Sequence, residues 1–394
     1  MKATRRSCLK SGLTATAGIL AFSGLQRTFG QKKNLKFTVD DSMTIEELEQ
    51  TLQAYPPAPE NLAKRAYAAL SMDKLVHLAV KKDISDKDLK ELIPLRDFYL
   101  RQVERGLTEL ENCTVTSGVR IFKFYSSSLV IKSKEGAMAV DFQQGPRLTY
   151  CGNPDQPDPV AKRTGFHWSG EQLDRLAKIV DVSFASHPHG DHADYDLSKR
   201  LSKLGKPTVV PQQLKELWNS MDHLIVPEYE TVQKIGPVEM YTMLGSQYME
   251  NWNATKDEKG QDVGHPTTNP DKTPDAETVV LLARLGDLVF LNAAESNPPA
   301  DEWLRKGIKL GFRPDVLIMA GMRQGARSIR EVLKEYPYFN LPVHEYEMGH
   351  PRGGNRIAHL YGGANAAAIR TGLAMPLFWG ENYALTAKQL PWRK

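Results

Sequence analysis

Hydrophobic and polar positions along the chain fall into two textures that meet near Val119. Upstream of it, apolar residues recur at helical spacing. Thr44-Ile45-Glu46-Glu47 has the pattern of a capping box and predicts a short helix. The Pro56-Pro57-Ala58-Pro59 stretch breaks that helix, because proline lacks the backbone donor a helix interior needs. A second helix follows, with Leu62, Ala66, Ala69 and Leu70 on one face. A third runs from about Asp86 to Asn112 and carries Leu89, Leu92, Phe98, Leu100, Val103 and Leu107 at its apolar positions; Pro94 is expected to kink or divide it.

Downstream, the period shortens. Val119 to Tyr125 partly alternates, and Ser128 to Ser133 and Ala137 to Phe142 follow across a turn at Glu135-Gly136, which reads as the start of a β-meander. Ser169 and Gln172 form a second capping box, opening a helix through Leu173, Leu176 and Ile179. A buried strand, Val180 to Ser186, comes next. Then come a helix over about 194–204, a strand from Thr208 to Val210 and a helix over about 211–220. Strands return at 237–244, Thr278 to Arg284 and Leu288 to Leu291, the last two joined at Gly286-Asp287. A helix at 300–309, a strand Val316 to Ala320, a helix at 326–335 and a strand Leu341 to His344 complete the order. Strands and helices grouped this way predict an α+β protein, an αββα sandwich rather than a doubly wound sheet. The domain plan is residues 1–30 as a leader, 31–117 as a helical N-terminal extension and 118–394 as the sandwich.

Composition narrows the class without naming it. With 394 residues, 41% hydrophobic and 25% charged, the chain is an ordinary globular one rather than a disordered or collagen-like one. The net charge of +4 is local: residues 1–30 hold Lys2, Arg5, Arg6, Lys10 and Arg27 and no acid, which leaves 46 bases against 47 acids beyond them. No basic patch elsewhere suggests nucleic-acid binding. Thr4-Arg5-Arg6-Ser7-Cys8-Leu9-Lys10 precedes a short apolar run from Ser11 to Leu25, too short to span a bilayer. The segment resembles a twin-arginine signal, with Cys8 standing where that pattern has an aromatic residue. The resemblance implies the twin-arginine export machinery as a partner, a periplasmic or secreted mature protein, and no transmembrane segment in it. Beyond Cys8 only Cys113 and Cys151 remain, which allows one disulfide or two separate thiols and no thiolate metal knot.

The chemistry sits directly after the buried strand, in His187-Pro188-His189-Gly190-Asp191-His192. Three imidazoles and a carboxylate within six residues are the donor types that bind zinc. Gly190 gives the backbone freedom for a tight loop that turns His187 and His189 to one cation and Asp191 and His192 to another. This H-x-H-x-D-H run after an apolar strand resembles the signature of the metallo-β-lactamase superfamily, and the order of elements over about 119–345 is similar as well. The resemblance implies an αββα fold with one or two Zn2+ on its edge, and three further ligands. His265, in Gly264-His265-Pro266, is the candidate third histidine, with Gln247 as the alternative occupant of that position. Glu295 is the candidate bridging acid, because Leu288 to Leu291 is followed by Asn292-Ala293-Ala294-Glu295 and no aspartate; Asp287 lies in the preceding turn. His344 ends the last strand, and His350 and Arg352 are left for substrate contact.

The function so implied is an exported zinc-dependent hydrolase, in which a metal-bound hydroxide cleaves an ester, lactone or phosphodiester bond of a small-molecule substrate. Asp191 would be the catalytic carboxylate. His189 stands where the oxygen-reducing branch of the superfamily has a glutamate for iron, which favours zinc. Loop-level similarity points to the branch of ascorbate-phosphate lactonases and N-acyl-phospholipid phosphodiesterases. The alternatives are a β-lactam hydrolase and a non-catalytic, metal-poor binding protein on the same fold.

Overall fold

The computed structural model describes residues 43–78, 86–146, 165–247, 255–256, 262–263, 276–296, 298–319, 324–344, 346 and 373–393. The leader, Cys151, His265, His350 and Arg352 lie outside the described residues. The chain folds as an α+β sandwich with two large sheets. Helices α1 (Ile45–Ala54), α2 (Leu62–Leu78) and α3 (Asp86–Asn112) come first. Strands β1 (Val119–Lys123), β2 (Leu129–Lys132) and β3 (Ala137–Val140) follow, then α4 (Gly170–Ile179), β4 (Val182–Phe184), α5 (Tyr195–Lys203), β5 (Thr208–Val209), α6 (Gln212–Leu217) and β6 (Leu224–Ile225). Strands β7 (Val232–Ile235), β8 (Val238–Ser246), β9 (Thr255–Lys256), β10 (Asp262–Val263), β11 (Glu277–Leu285) and β12 (Leu288–Asn292) precede α7 (Asp301–Lys309), β13 (Val316–Met319), α8 (Gln324–Leu333), β14 (Phe339–Pro342) and β15 (Glu381–Leu385).

The first sheet has the order β15-β1-β2-β3-β4-β5-β6 and the second β14-β13-β12-β11-β8-β7. β9 and β10 form a separate two-stranded ladder. The long strand β11 shows how the sheets stack. Val279, Leu281, Ala283 and Leu285 join the core that also holds Ile121, Ile131 and Phe184 of the first sheet. Val280 and Leu282, on its other face, pack with Trp303, Leu304, Ile329 and Val332 of α7 and α8. A period-2 strand buried on both sides is what a sandwich layer requires.

Local chemistry explains the helix starts. The Thr44 hydroxyl accepts from Glu47 N at 3.2 Å, and the Glu47 carboxylate accepts from Thr44 N at 2.8 Å. Ser169 and Gln172 do the same for α4. Asp194 caps α5 by accepting from Leu197 N at 2.8 Å. Lys206 Nζ donates to the carbonyls of Ala177, Lys178 and Val180 at 2.7–2.9 Å, closing the end of α4.

Several expectations are corrected. Pro94 does not divide α3, which runs unbroken from Asp86 to Asn112. Leu92, Leu95, Phe98 and Tyr99 are buried on either side of it, and four such side chains outweigh the roughly 3 kcal/mol of an interior proline. The strand expected over Leu341 to His344 is Phe339–Pro342, and His344 leaves it with φ 73°. The His344 N–H donates to Ser126 O in the β1–β2 turn at 3.1 Å, which draws the chain off the ladder. The strand expected at Val180 to Ser186 is Val182–Phe184, since Ser186 N turns to Asp141.

The three N-terminal helices pack on the same core as the first sheet: Leu48, Leu52, Met72, Tyr99 and Leu107 all belong to it. Arg65 of α2 is fully buried and forms a two-pronged ion pair with Glu381 of β15; it also donates to Tyr55 O at 2.9 Å. Gly380 at φ 70° lets the turn before β15 touch α3, where a Cβ would fall 1.9 Å from Gln102 O. No helix among the described residues is long and apolar enough to cross a membrane.

Candidate metal centre

Strand direction assembles the centre. β3 and β4 run parallel, β12 runs parallel to β13 and β13 to β14, and β8 points the same way as β12 because both are antiparallel to β11. Polar residues that follow the carboxyl ends of these strands therefore meet on one edge of the sandwich. Asp141 follows β3, the His187–His192 loop follows β4, Gln247 follows β8, Glu295 comes three residues after β12, and His344 two after β14.

The loop folds on itself: His192 N and Ala193 N both donate to His189 O, at 3.0 and 3.1 Å. His187 lies 4.7 Å from His189 and 4.0 Å from His192 between ring centroids. His192 Nε2 and His344 Nε2 are 2.7 Å apart. Asp191 Oδ2 is 3.6 Å from the first and 3.9 Å from the second. Glu295 Oε1 is 3.7 Å from His344 Nε2. His187, Asp191, His192, Glu295 and His344 are buried and His189 is half-buried. The structure thus brings together six of the seven residues expected as metal donors; the seventh, His265, lies outside the described residues. Asp287 is exposed in the β11–β12 turn, away from this edge. Of the other described histidines, His223 is exposed and His167 half-buried.

Burial and neighbouring imidazoles hold His187 well below the ordinary imidazole value. Burial also pulls His192 down, but Asp191, Asp141 and Glu295 outweigh it and lift the group to about 9. Opposite pressures on adjacent imidazoles mark a site built around charge.

Three residues that the sequence reading did not single out support the ring. Asp141 Oδ2 lies 3.2 Å from His192 Nδ1, while its Oδ1 accepts from Ser186 N at 2.7 Å. Asn292 Nδ2 donates to Asp141 Oδ2 at 2.9 Å, and Asn292 Oδ1 accepts from Ala294 N at 2.9 Å, setting the φ of 47° at Ala294 that precedes Glu295. Ser186 Oγ lies 2.9 Å from His187 Nδ1. Ser186 and Asp141 thus stand at the Nδ1 sides of the two rings, and the Nε2 atoms are the ends turned away from them. Gln247, weighed as an alternative to His265, is fully buried and donates Nε2 to Glu295 Oε2.

The donor set fits a divalent cation. His187 Nε2 is buried with no hydrogen-bond partner, a cost of about 1–3 kcal/mol that a bound cation removes. One donor atom each from Asp191, His192 and His344 lies within 4.8 Å of the others. Imidazole plus carboxylate suits zinc and also iron or manganese.

No family model matches the sequence, and no curated protein matches it. Among solved structures, the chain is similar to a possible metal-dependent hydrolase from Veillonella parvula, at 17% identity and TM-score 0.47 over 68% of this chain and 100% of that one. It is similar to an isothiocyanate hydrolase from Delia radicum gut bacteria, at 14% identity and TM-score 0.45 over 68% and 99%. It is also similar to the metallo-β-lactamase fold protein YhfI from Bacillus subtilis, at 14% identity and TM-score 0.39 over 68% and 99%.

Proposed function

We propose that the chain is a metal-dependent hydrolase, with zinc as the metal, acting on an ester, lactone or phosphodiester of a small molecule after export. The observation that carries this reading is the pair of imidazole nitrogens 2.7 Å apart, His192 and His344, facing two buried carboxylates within 3.9 Å. His187, His189, Asp191, His192, Glu295 and His344 would hold the metal. A divalent cation there supplies Lewis acidity, which acidifies water and polarises a carbonyl or phosphoryl oxygen.

The chain's own groups do the rest. Asp191 would be the carboxylate placed to take a proton from the attacking water. Asp141 and Ser186, at the Nδ1 sides of His192 and His187, would hold the two rings with Nε2 toward the metal. Ser126, Ser127 and Gln143 are buried with side-chain polar atoms that have no partner. Ser126 is bonded through its carbonyl to His344 N, and Gln143 lies two residues beyond Asp141. These groups would be polar contacts for a substrate, since a buried unpaired group costs about 1–3 kcal/mol.

The test is metal analysis of the purified chain together with turnover of a panel of lactones, phosphodiesters and β-lactams. Bound zinc, and hydrolysis that a chelator stops and His189→Ala abolishes, are expected. A chain that holds no divalent metal, or full turnover by His189→Ala, overturns the reading.

A further inference from the structure

We infer that Tyr346 is a positioning residue for the metal donor His344, and that α2 holds it in place through Arg65 and Phe378. The centre is then supported from the N-terminal helices as well as from the two sheets. This rests on the metal-dependent reading above for the role of His344 and goes beyond it.

The backbone sets the need. His344 has φ 73° and Tyr346 φ 58°, so two residues out of three lie in the left-handed region. Among the described residues, His344 is the one expected metal donor with a positive φ. For a side chain as bulky as tyrosine this backbone is an outlier, and it persists only where the surroundings over-determine it. The single hydrogen bond from His344 N to Ser126 O, at 3.1 Å, contributes less than two such residues cost. Left to relax, the segment would swing the imidazole away from His192, whose Nε2 lies 2.7 Å from its own.

The rest of the hold comes from rings. Tyr346 is buried, and its ring stacks on Phe378 with centroids 5.0 Å apart and planes 10° from parallel. Lys123 Nζ stands 5.8 Å from the Tyr346 centroid, and Arg65 Cζ 5.0 Å from the Phe378 centroid. Two fully buried cations thus meet one aromatic pair, where the attraction between charge and ring is strongest because water does not compete. Phe378 is fixed in turn. Its N–H donates to Glu381 Oε2 at 2.8 Å, and Glu381 is ion-paired to Arg65. Lys123 is the register partner of Glu381 in the β1–β15 ladder, so these side chains form one cluster. A path of direct contacts therefore runs from α2 through Phe378 to Tyr346, two residues from His344.

The experiment measures amide hydrogen exchange in the metal-free full chain, and zinc affinity of the same chain by chelator competition. The Val210 amide, bonded to Ile225 O of β6 at 2.9 Å, is the reference for global opening. Tyr346→Leu is expected to speed exchange of the His344 amide about 10-fold, the scale of one lost aromatic pair. It should weaken zinc binding by a similar factor and leave Val210 unchanged. Tyr346→Phe keeps the ring and should match wild type in both readouts. Arg65→Met with Glu381→Leu alters no expected metal donor, yet should speed His344 exchange and weaken zinc binding about 3-fold, the scale of one lost cation–ring contact. A His344 amide indifferent to Tyr346→Leu, a Tyr346→Phe chain as loose as Tyr346→Leu, or equal acceleration of His344 and Val210 overturns the inference. Should Tyr346→Leu not fold, unaltered His344 exchange in the Arg65–Glu381 double variant overturns it instead. A wild-type chain that binds no divalent metal, while its His344 amide responds as expected, overturns the hydrolase reading and leaves the ring support standing.

Discussion

Asp141 Oδ2 lies 3.2 Å from His192 Nδ1, so a carboxylate at the end of β3 holds the imidazole whose other nitrogen faces His344. The same carboxylate ties down Ser186 N and receives Asn292 Nδ2, so one side chain coordinates three strand ends. Asparagine tolerates the φ of 44° at this position, so Asp141→Asn keeps the backbone and changes the polar pattern alone. It is expected to weaken metal binding about 10–100-fold, as measured by chelator competition. Unchanged affinity would remove Asp141 from the support of the centre.

Gln143 offers a different sign. Both ends of its amide are buried and unpartnered, and its backbone is locked by Ser128 through bonds of 2.6 and 2.7 Å. Gln143→Leu removes the unpaired polar atoms at similar volume. It should raise unfolding free energy by about 1–2 kcal/mol, read from urea denaturation, and raise KM on whichever ester or lactone is turned over. A variant less stable than wild type would show that the amide has a partner in the folded protein and is not a substrate contact.

The histidine loop was legible because its chemistry is local: six consecutive residues carry four donors after an apolar run. Glu295 and His344 were legible as polar residues just beyond apolar strands. Asp141 and Asn292 stand in the same relation to β3 and β12, yet nothing local separates them from ordinary turn residues. Their role comes from β3 lying beside β4 and β12 facing them across the sandwich, which is register and layering rather than motif. The strand β15 escaped for another reason. Its sequence Glu-Asn-Tyr-Ala-Leu does not alternate, and it forms an edge strand whose burial is completed by α2 and α3. Pro94 misled because local propensity was overridden by the buried face of α3.

The ion pair of Arg65 with Glu381 joins α2 to β15 with almost no solvent on either partner. Glu381 is further held by Phe378 N at 2.8 Å, and Arg65 lies 5.0 Å over the Phe378 ring. Removing one partner strands the other charge in the core, so Arg65→Ala should cost about 3–5 kcal/mol. Replacing both, as Arg65→Met with Glu381→Leu, should recover most of that, because a paired buried charge adds little over apolar packing. Urea unfolding of the three variants checks it. A single variant within ~1 kcal/mol of wild type would show that α2 is not held to the sandwich through this pair.

Arg175 of α4 reaches two carboxylates of α3, Glu104 and Glu111, each at 2.7 Å, and Gln172 adds a bond of 2.8 Å to Glu104. The hydrogen bond from Gln172 chiefly lowers the Glu104 carboxyl, with Arg175 assisting, and the hydrogen bond from Arg175 chiefly lowers Glu111. A carboxyl lowered by folding contributes stability that is complete above its unfolded value, near 4.5 here, and is lost as pH falls through the folded value. The side chains are a quarter to a half exposed, so the contribution is small, about 1 kcal/mol or less. Arg175→Met should therefore be slightly less stable than wild type at pH 7, and the gap should close as the pH is lowered below 4.5 and both carboxyls protonate. Added salt should narrow the gap at pH 7 as well, since the pair is open to screening. Unfolding curves at pH 7 and at two values below 4.5 test this. A gap that stays unchanged in acid would show that Arg175 holds α4 to α3 by packing and not by charge.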